Sequence, residues 1–180
     1  NTVFGGDRPW CHEDDEHTPF FPYAQHKSAA EKAIKVVAED LKMHQKLNIV
    51  RLTKILGIGT SPLPSWIEIM EKGGVLTPFS DLSFAPMSVG YTAKSLAEIG
   101  RHRIEGNFHI SGADNISYDK FSRKFADSLG YKRLKIEPTT SIEMNIEIPF
   151  KPRYSGIGME RTTKLIGIKP QTLQELKGDL

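Results

Sequence analysis

The chain has 180 residues, 24 basic and 22 acidic, for a net charge of +2 with neutral histidines. Apolar residues make up 38% and charged residues 26%, the balance of a globular domain with a sizeable core and not of a disordered chain. Interleaved charge argues against a nucleic-acid surface, the single Cys11 against a disulfide framework, and the lack of a long apolar run against a membrane span.

Asn1 opens the chain, and Thr2-Val3-Phe4-Gly5-Gly6 reads as the end of a strand running into a turn. The expectation is a piece of a longer cytoplasmic protein that begins inside a structural element. Asp7 to Pro22 is a polar loop punctuated by prolines. It holds Cys11-His12-Glu13-Asp14-Asp15-Glu16-His17, a run rich in metal-ligating residue types. Structural zinc sites set their ligands at defined spacing on rigid elements. A continuous run in a loop is more commonly a solvated acidic turn, so no metal is expected. Cys11 as a nucleophile would need a base, and nothing beyond the adjacent His12 offers one.

A helix is expected from about Tyr23 to His44. Ala30, Ala33, Ile34, Val37 and Leu41 recur at helical spacing as its buried face, with Glu31, Lys32, Lys35 and Glu39 turned outward. Tyr23 and Lys27 stand i,i+4 on this helix, one turn apart on one face. A free phenol ionises near pH ~10, and a neighbouring ammonium favours its phenolate. Such a pair suits proton transfer to a carbonyl, or from an alcohol, as a hydride moves. The spacing is common by chance, and the bland alternative is a packed ring beside a solvated lysine.

Leu47 to Leu56 contains Asn48-Ile49-Val50-Arg51-Leu52, a β-prone run ended by Gly57-Ile58-Gly59. Helix followed by buried strand is half of a βαβ unit. Gly57-Ile58-Gly59 lacks the third glycine and the lysine of a phosphate loop. Pro64 to Lys72 reads as a helix closed by Gly73-Gly74. Val75 to Phe79 and Ser83 to Val89 are extended candidates, and Thr92 to Arg101 is a helix. Asn107 to Ile110 is a strand ending at Ser111-Gly112. Ser117 caps a helix to Leu129, with Phe121, Phe125 and Leu129 on one face and Gly130 closing it. Lys132 to Glu137 is a further strand, followed by a helix from about Met159 to Ile166 and a final turn from Thr172. Trp66, Phe79 and Phe84 offer rings for stacking, although core packing is the commoner fate.

In this order the segments resemble the extended short-chain dehydrogenase/reductase superfamily, and within it the dTDP-4-dehydrorhamnose reductase branch. The resemblance rests on Val3-Phe4-Gly5-Gly6, on the acidic loop Pro9-Trp10-Cys11-His12-Glu13-Asp14, and on Pro19, Tyr23, Lys27 and Glu31 in a Pro-x-x-x-Tyr-x-x-x-Lys-x-x-x-Glu pattern. It continues through Arg51 and Gly57, Asp81 and Pro86, Asn107-Phe108-His109-Ile110-Ser111-Gly112, Lys151-Pro152-Arg153-Tyr154-Ser155, and Lys164-Leu165-Ile166-Gly167. No single match is specific, but the shared order over nearly the whole chain is.

The resemblance implies an α/β fold: the C-terminal part of an NAD(P)-binding Rossmann-type fold over residues 1–62, and a small α/β substrate-binding lobe over 63–180. It implies an NAD(P)-dependent oxidoreductase acting on a nucleotide sugar, with Tyr23 as general acid/base and Lys27 on the ribose of NADP or NAD. Tyr23, Lys27 and Arg51 are then the candidate cofactor contacts, although Arg51 at a strand start reads first as structural, with substrate or cofactor contact the lesser alternative. Lys151 and Arg153 are candidates for the substrate diphosphate, since arginine forms bidentate charge-assisted bonds to such groups; a solvated basic surface accounts for them equally well. No Gly-x-x-Gly-x-x-Gly follows a strand here, so the main dinucleotide motif lies outside this chain. A nucleotide-sugar epimerase or dehydratase shares the same pair. A regulatory subunit of this fold, resembling the β subunit of methionine adenosyltransferase, is the non-enzyme alternative. The expected partners are a nucleotide-sugar substrate and, as an open option, a second copy in a homodimer.

Overall fold

The computed structural model describes residues 2–180. In chain order the elements are α1 (Pro22–Asp40), β1 (Asn48–Leu52), β2 (Lys54–Leu56), α2 (Leu63–Glu71), β3 (Val75–Leu76), β4 (Ser83–Phe84), β5 (Pro86–Ser88), α3 (Val89–His102) and β6 (Gly106–Ile110). They continue as β7 (Ile116–Ser117), α4 (Tyr118–Ser128), β8 (Lys135–Ile136), α5 (Glu160–Ile166) and α6 (Leu173–Asp179). β1 pairs parallel with β6, placing Val50 beside Phe108 and Arg51 beside His109. β2 pairs parallel with β5, β3 parallel with β8, and β4 antiparallel with β7. Parallel pairs joined through helices make this an α/β chain. Among the described residues no helix is long and apolar enough to cross a membrane.

Among the described residues, three apolar clusters hold these pieces. The largest packs Leu56, Leu63, Met70, Leu76, Phe121 and Leu176 between α2, α4 and α6. Trp66 and Phe84 lie inside it, so these rings are core and not stacking surfaces. Phe79, half-buried, lies at an isolated bridge to Thr139. A second cluster sets Met87 and Ile99 against Phe108 and Ile110 of β6. The third joins Val3, Phe4 and Cys11 to Ile157. Burial there raises the Cys11 thiol above its ordinary value, the signature of an inert thiol.

Helix ends follow their local chemistry. Ser88 accepts a hydrogen bond from Tyr91 N at 2.9 Å, so α3 starts at Val89, three residues before the expected Thr92. Ser117 caps α4 by accepting from Lys120 N at 3.3 Å. Phe121 and Phe125 are buried, while Leu129, just past the last helical turn, is exposed. Thr172 and Glu175 form a reciprocal capping box at α6. Thr2–Phe4 take turn and bend geometry, not the expected strand, and Val3 O is already taken by Thr18 N at 2.9 Å.

α1 departs furthest from expectation. Its buried residues are Ala24, Ser28 and Ala38, and Glu31 turns inward beside them. The apolar residues expected to pack are on the outside: Ala33, Ile34, Val37 and Leu41 line an open groove of about 340 Å³. Small residues let the helix close on the sheet, and Glu31 joins them because it meets a buried cation. Helical spacing defines a face but not which face is covered.

Candidate active site

α1 begins with Pro22 at its first position, where the missing N–H costs nothing. One residue later comes Tyr23. Its ring stacks with Phe21 at 6.1 Å, and Phe21 stacks in turn with Phe150 at 5.0 Å. On the next turn, the Lys27 ammonium lies 5.4 Å from the Tyr23 ring centroid in a cation–π contact. Tyr23 is 55% exposed. Neither the Tyr23 hydroxyl nor the Lys27 ammonium has a hydrogen-bond partner among the described residues. Both are therefore free to donate to the hydroxyls of a ribose, and the pair fits that part of a nicotinamide cofactor.

The Phe150 ring ties the segment after it to the start of α1. Pro152 packs on Gly6, where an added β-carbon would meet it at 2.3 Å and where φ is +74°; only glycine fits that turn. Tyr154 N donates to Gly6 O at 2.9 Å, and Asn115 Nδ2 donates to Arg153 O at 3.0 Å. Arg153, three residues beyond Phe150, is within about 10 Å of it even at full extension. Its guanidinium lies over the Tyr154 ring at 5.3 Å and has no ion pair among the described residues. Beside it Pro9, Trp10, Asn115, Tyr154 and Gly156 line a cavity of about 240 Å³.

Lys151 and Arg51 are engaged differently. Lys151 Nζ donates to Asp81 Oδ2 at 2.9 Å and to Ser141 Oγ. Ser141 gives Asp81 two further donors, its hydroxyl at 2.7 Å and its backbone N–H. Burial works to raise Asp81, but these bonds and the Lys151 charge outweigh it and hold the carboxyl at about 2. Lys151 thus fastens the 141–151 segment to the bend before β4 and keeps one N–H uncommitted.

Arg51 is buried, and every one of its donors has a protein partner. Nε and Nη2 hold Glu31 of α1 in a fork at 3.1 and 2.8 Å. Nη1 donates to Glu13 O at 3.0 Å and to His109 Nε2 at 3.1 Å; Nη2 donates to His17 Nε2 at 2.7 Å. The Phe4 ring covers the guanidinium at 5.2 Å. No N–H remains for a cofactor. The expected cofactor contact is here a rivet joining α1, β1, β6 and the preceding loop.

Both histidines accept from Arg51 through Nε2, so each is neutral and carries its proton on Nδ1. His109 Nδ1 donates to Gly158 O at 2.8 Å and His17 Nδ1 to Ser28 Oγ at 2.8 Å. His17 also lies 3.5 Å from Glu31, but as a neutral ring it makes no ion pair there. Burial first, then the Arg51 charge, pushes His109 down to about 3 against the opposing bond to Gly158. The same two causes lower His17. Burial raises Glu31, but the Arg51 bonds and charge more than offset it, and its net shift is downward.

Acid therefore destabilises the fold. Unfolded His109 takes up a proton near 6.5 and folded His109 only near 3, so between these values the unfolded chain binds the extra proton. Stability present above pH 6.5 is lost as pH falls toward 3, at up to about 1.4 kcal/mol per pH unit. Glu31, lowered in the folded state, adds to the loss below its ordinary value. Urea midpoints measured from neutral pH to about pH 4 should fall steadily; a flat profile would contradict neutral buried histidines.

Sequence reading brought forward Tyr23, Lys27 and Arg153; the structure sets the first two one turn apart on α1 and links the segment before Arg153 to the start of α1 through the Phe150 stack on Phe21. It missed Phe150, which joins them, and the inward roles of Glu31, His17 and His109. The Lys-x-x-x-Glu spacing and the strand arginine were the only signals for the last group. The Cys11–His17 run is a turn solvated only in part: His12, Asp14 and Glu16 are exposed, whereas Cys11 and Glu13 are buried.

The family model for the RmlD substrate binding domain matches residues 1–178. No curated protein sequence matches the chain. Among solved structures, a dTDP-4-dehydrorhamnose reductase from Yersinia enterocolitica superposes with a TM-score of 0.81 at 19% identity, covering 98% of this chain and 61% of that one. The dTDP-4-dehydrorhamnose reductase from Bacillus anthracis str. Ames, in complex with NADP, gives 0.78 at 22% identity, over 98% and 60%. A UDP-N-acetylglucosamine 4-epimerase from Methanobrevibacter ruminantium M1, in complex with UDP-N-acetylmuramic acid, gives 0.73 at 17% identity, over 96% and 58%. The chain thus spans about 60% of the length of these structures.

Proposed function

This chain belongs to the RmlD substrate binding domain family, and we propose on that basis that it is the substrate-side part of an NAD(P)-dependent reductase of nucleotide-activated keto sugars. When bound, the nicotinamide supplies the hydride. The residues of this chain do the rest. Tyr23 delivers a proton from its hydroxyl to the substrate carbonyl oxygen, so that carbonyl becomes alcohol. Lys27 holds the cofactor ribose and keeps a positive charge beside the phenol. Arg153 meets the sugar nucleotide's diphosphate through its planar fork. Residues 1–62 form the edge of the cofactor domain and 63–180 the substrate lobe.

One observation supports this most. The phenol and ammonium stand exposed one turn apart on α1, without hydrogen-bond partners among the described residues, and Phe150, three residues before Arg153, stacks on Phe21 beside them. The experiment supplies the complete protein with a dTDP-4-keto-6-deoxyhexose and NADPH or NADH. Cofactor is expected to be consumed as one alcohol forms per hydride. If a folded protein consumes neither cofactor with that substrate, the reductase reading fails and a scaffold role takes its place.

A further inference from the structure

Arg153 is carried on a stretch of chain that does little to hold itself in place. Residues 142–147 are exposed. Among the described residues, the side-chain hydrogen bonds of 142–149 are confined to Glu143, which accepts from Thr139 and Thr140 of its own turn. Residues 147–150 make no backbone hydrogen bond among the described residues. Yet the two ends of this excursion meet. Ser141 and Lys151, 10 positions apart, are joined by a bond from Nζ to Oγ, and both donate to Asp81. Ser141 N reaches Oδ1 at 3.1 Å, while Ser141 Oγ and Lys151 Nζ reach Oδ2 at 2.7 and 2.9 Å.

One carboxylate thus closes the loop. Pro152 follows Lys151 with its φ fixed by the ring, and Arg153 comes next. On the far side, Arg153 O accepts from Asn115 Nδ2 at 3.0 Å, and Ser155 N donates to Asn115 Oδ1 at 2.9 Å. Ser155 Oγ donates to Ser83 O at 2.8 Å. The backbone of Arg153 is therefore held from both directions, and Asp81 supplies the hold on its N-terminal side. Lys151 has no other ion pair among the described residues. Without Asp81 its charge is left uncompensated and the loop ends are free to part. The pairing has a second use: Lys151 cancels the Asp81 charge, so the clamp adds no repulsion toward an anionic ligand.

We propose, resting on the reductase reading above, that Asp81 is a positioning residue for the substrate. Through Ser141 and Lys151 it holds the Arg153 guanidinium where that group meets the diphosphate of the sugar nucleotide. Bidentate recognition of an anion by arginine demands a defined geometry. A segment ordered before binding also spares the complex the entropy of ordering it. Asp81 itself touches no substrate, so its effect lies in ground-state binding and not in the chemical step.

The test titrates dTDP into the complete protein by calorimetry and measures turnover of the keto-sugar nucleotide at saturating NADPH. Asp81→Asn keeps the shape but removes the charge and sets an amide against the Lys151 and Ser141 donors. It weakens dTDP and raises the substrate KM about tenfold, with kcat within about twofold of the parent. Simple loss of stability would lower the active fraction and leave KM alone. Arg153→Met weakens dTDP about tenfold or more. Adding Asp81→Asn to it costs no further affinity, because both act through one guanidinium. Ser141→Ala keeps both charges and gives a smaller loss in the same direction, which serves if Asp81→Asn folds poorly. Undiminished dTDP affinity in Asp81→Asn, or in Ser141→Ala where only that variant folds, overturns the proposal. So do losses that add in the double variant, or an Arg153→Met protein that binds as the parent does. A parent protein that neither binds dTDP nor turns over the substrate overturns the reductase reading itself, and the positioning role with it.

Discussion

Replacing Arg51 with methionine lowers the free energy of unfolding by about 3–5 kcal/mol, a large share of the ~5–15 kcal/mol that holds a domain together. Methionine fills much of the stem volume but carries no donor. The Glu31 side chain, 14% exposed, is left as an unpaired carboxylate. The Glu13 carbonyl and the Nε2 atoms of His17 and His109 lose the donor they share. Lysine is no remedy, since one ammonium cannot serve acceptors arranged around a planar fork. Urea denaturation followed by circular dichroism reads the loss directly. A change below about 1 kcal/mol would place Arg51 among ordinary surface residues and contradict the rivet. The pair Arg51→Met with Glu31→Met recovers part of the loss, because no charge then stays buried without a partner.

On the proposed reductase function, Tyr23→Phe in the complete protein cuts turnover of the keto-sugar nucleotide about 10²- to 10⁴-fold, the usual worth of a positioned proton donor. The substitution is clean on structural grounds. Phenylalanine keeps the stack on Phe21 and the contact with Lys27, and no hydrogen bond of the tyrosine hydroxyl within the described protein is lost. Only the proton goes. The substrate KM should stay close to its original value, since the ring that shapes the site remains. Steady-state kinetics of the two proteins separate the readings: an unchanged rate would remove Tyr23 from the chemistry.

Local signals carried the element order well. Gly73-Gly74 ends α2 within a residue of expectation, and Ser117 caps α4 where a serine before an aromatic stripe should. What escaped was burial decided by distant partners. Glu31 looked solvent-facing because a carboxylate on a helix usually is; it faces inward because Arg51, 20 residues on, needs a counter-charge. The same pairing helps engage every donor of Arg51, whose place at the strand start already suggested a structural role. Lys151 read as a free cation for a diphosphate, yet Asp81, 70 residues earlier, holds it. Ordered resemblance pointed to candidates where periodicity was silent: Tyr23, Lys27 and Arg153 are unremarkable by spacing alone.

The stacking of Tyr23 has a mechanical consequence. A tyrosine ring can turn over about the axis from Cβ to its hydroxyl oxygen, and that oxygen lies on the axis. Phe21 stacks on the ring and Lys27 lies over it, so both face contacts resist that turn. Because the oxygen lies on the axis, the turn they resist would not displace it. On the proposed function, the point of proton delivery is insensitive to which face of the ring each neighbour meets.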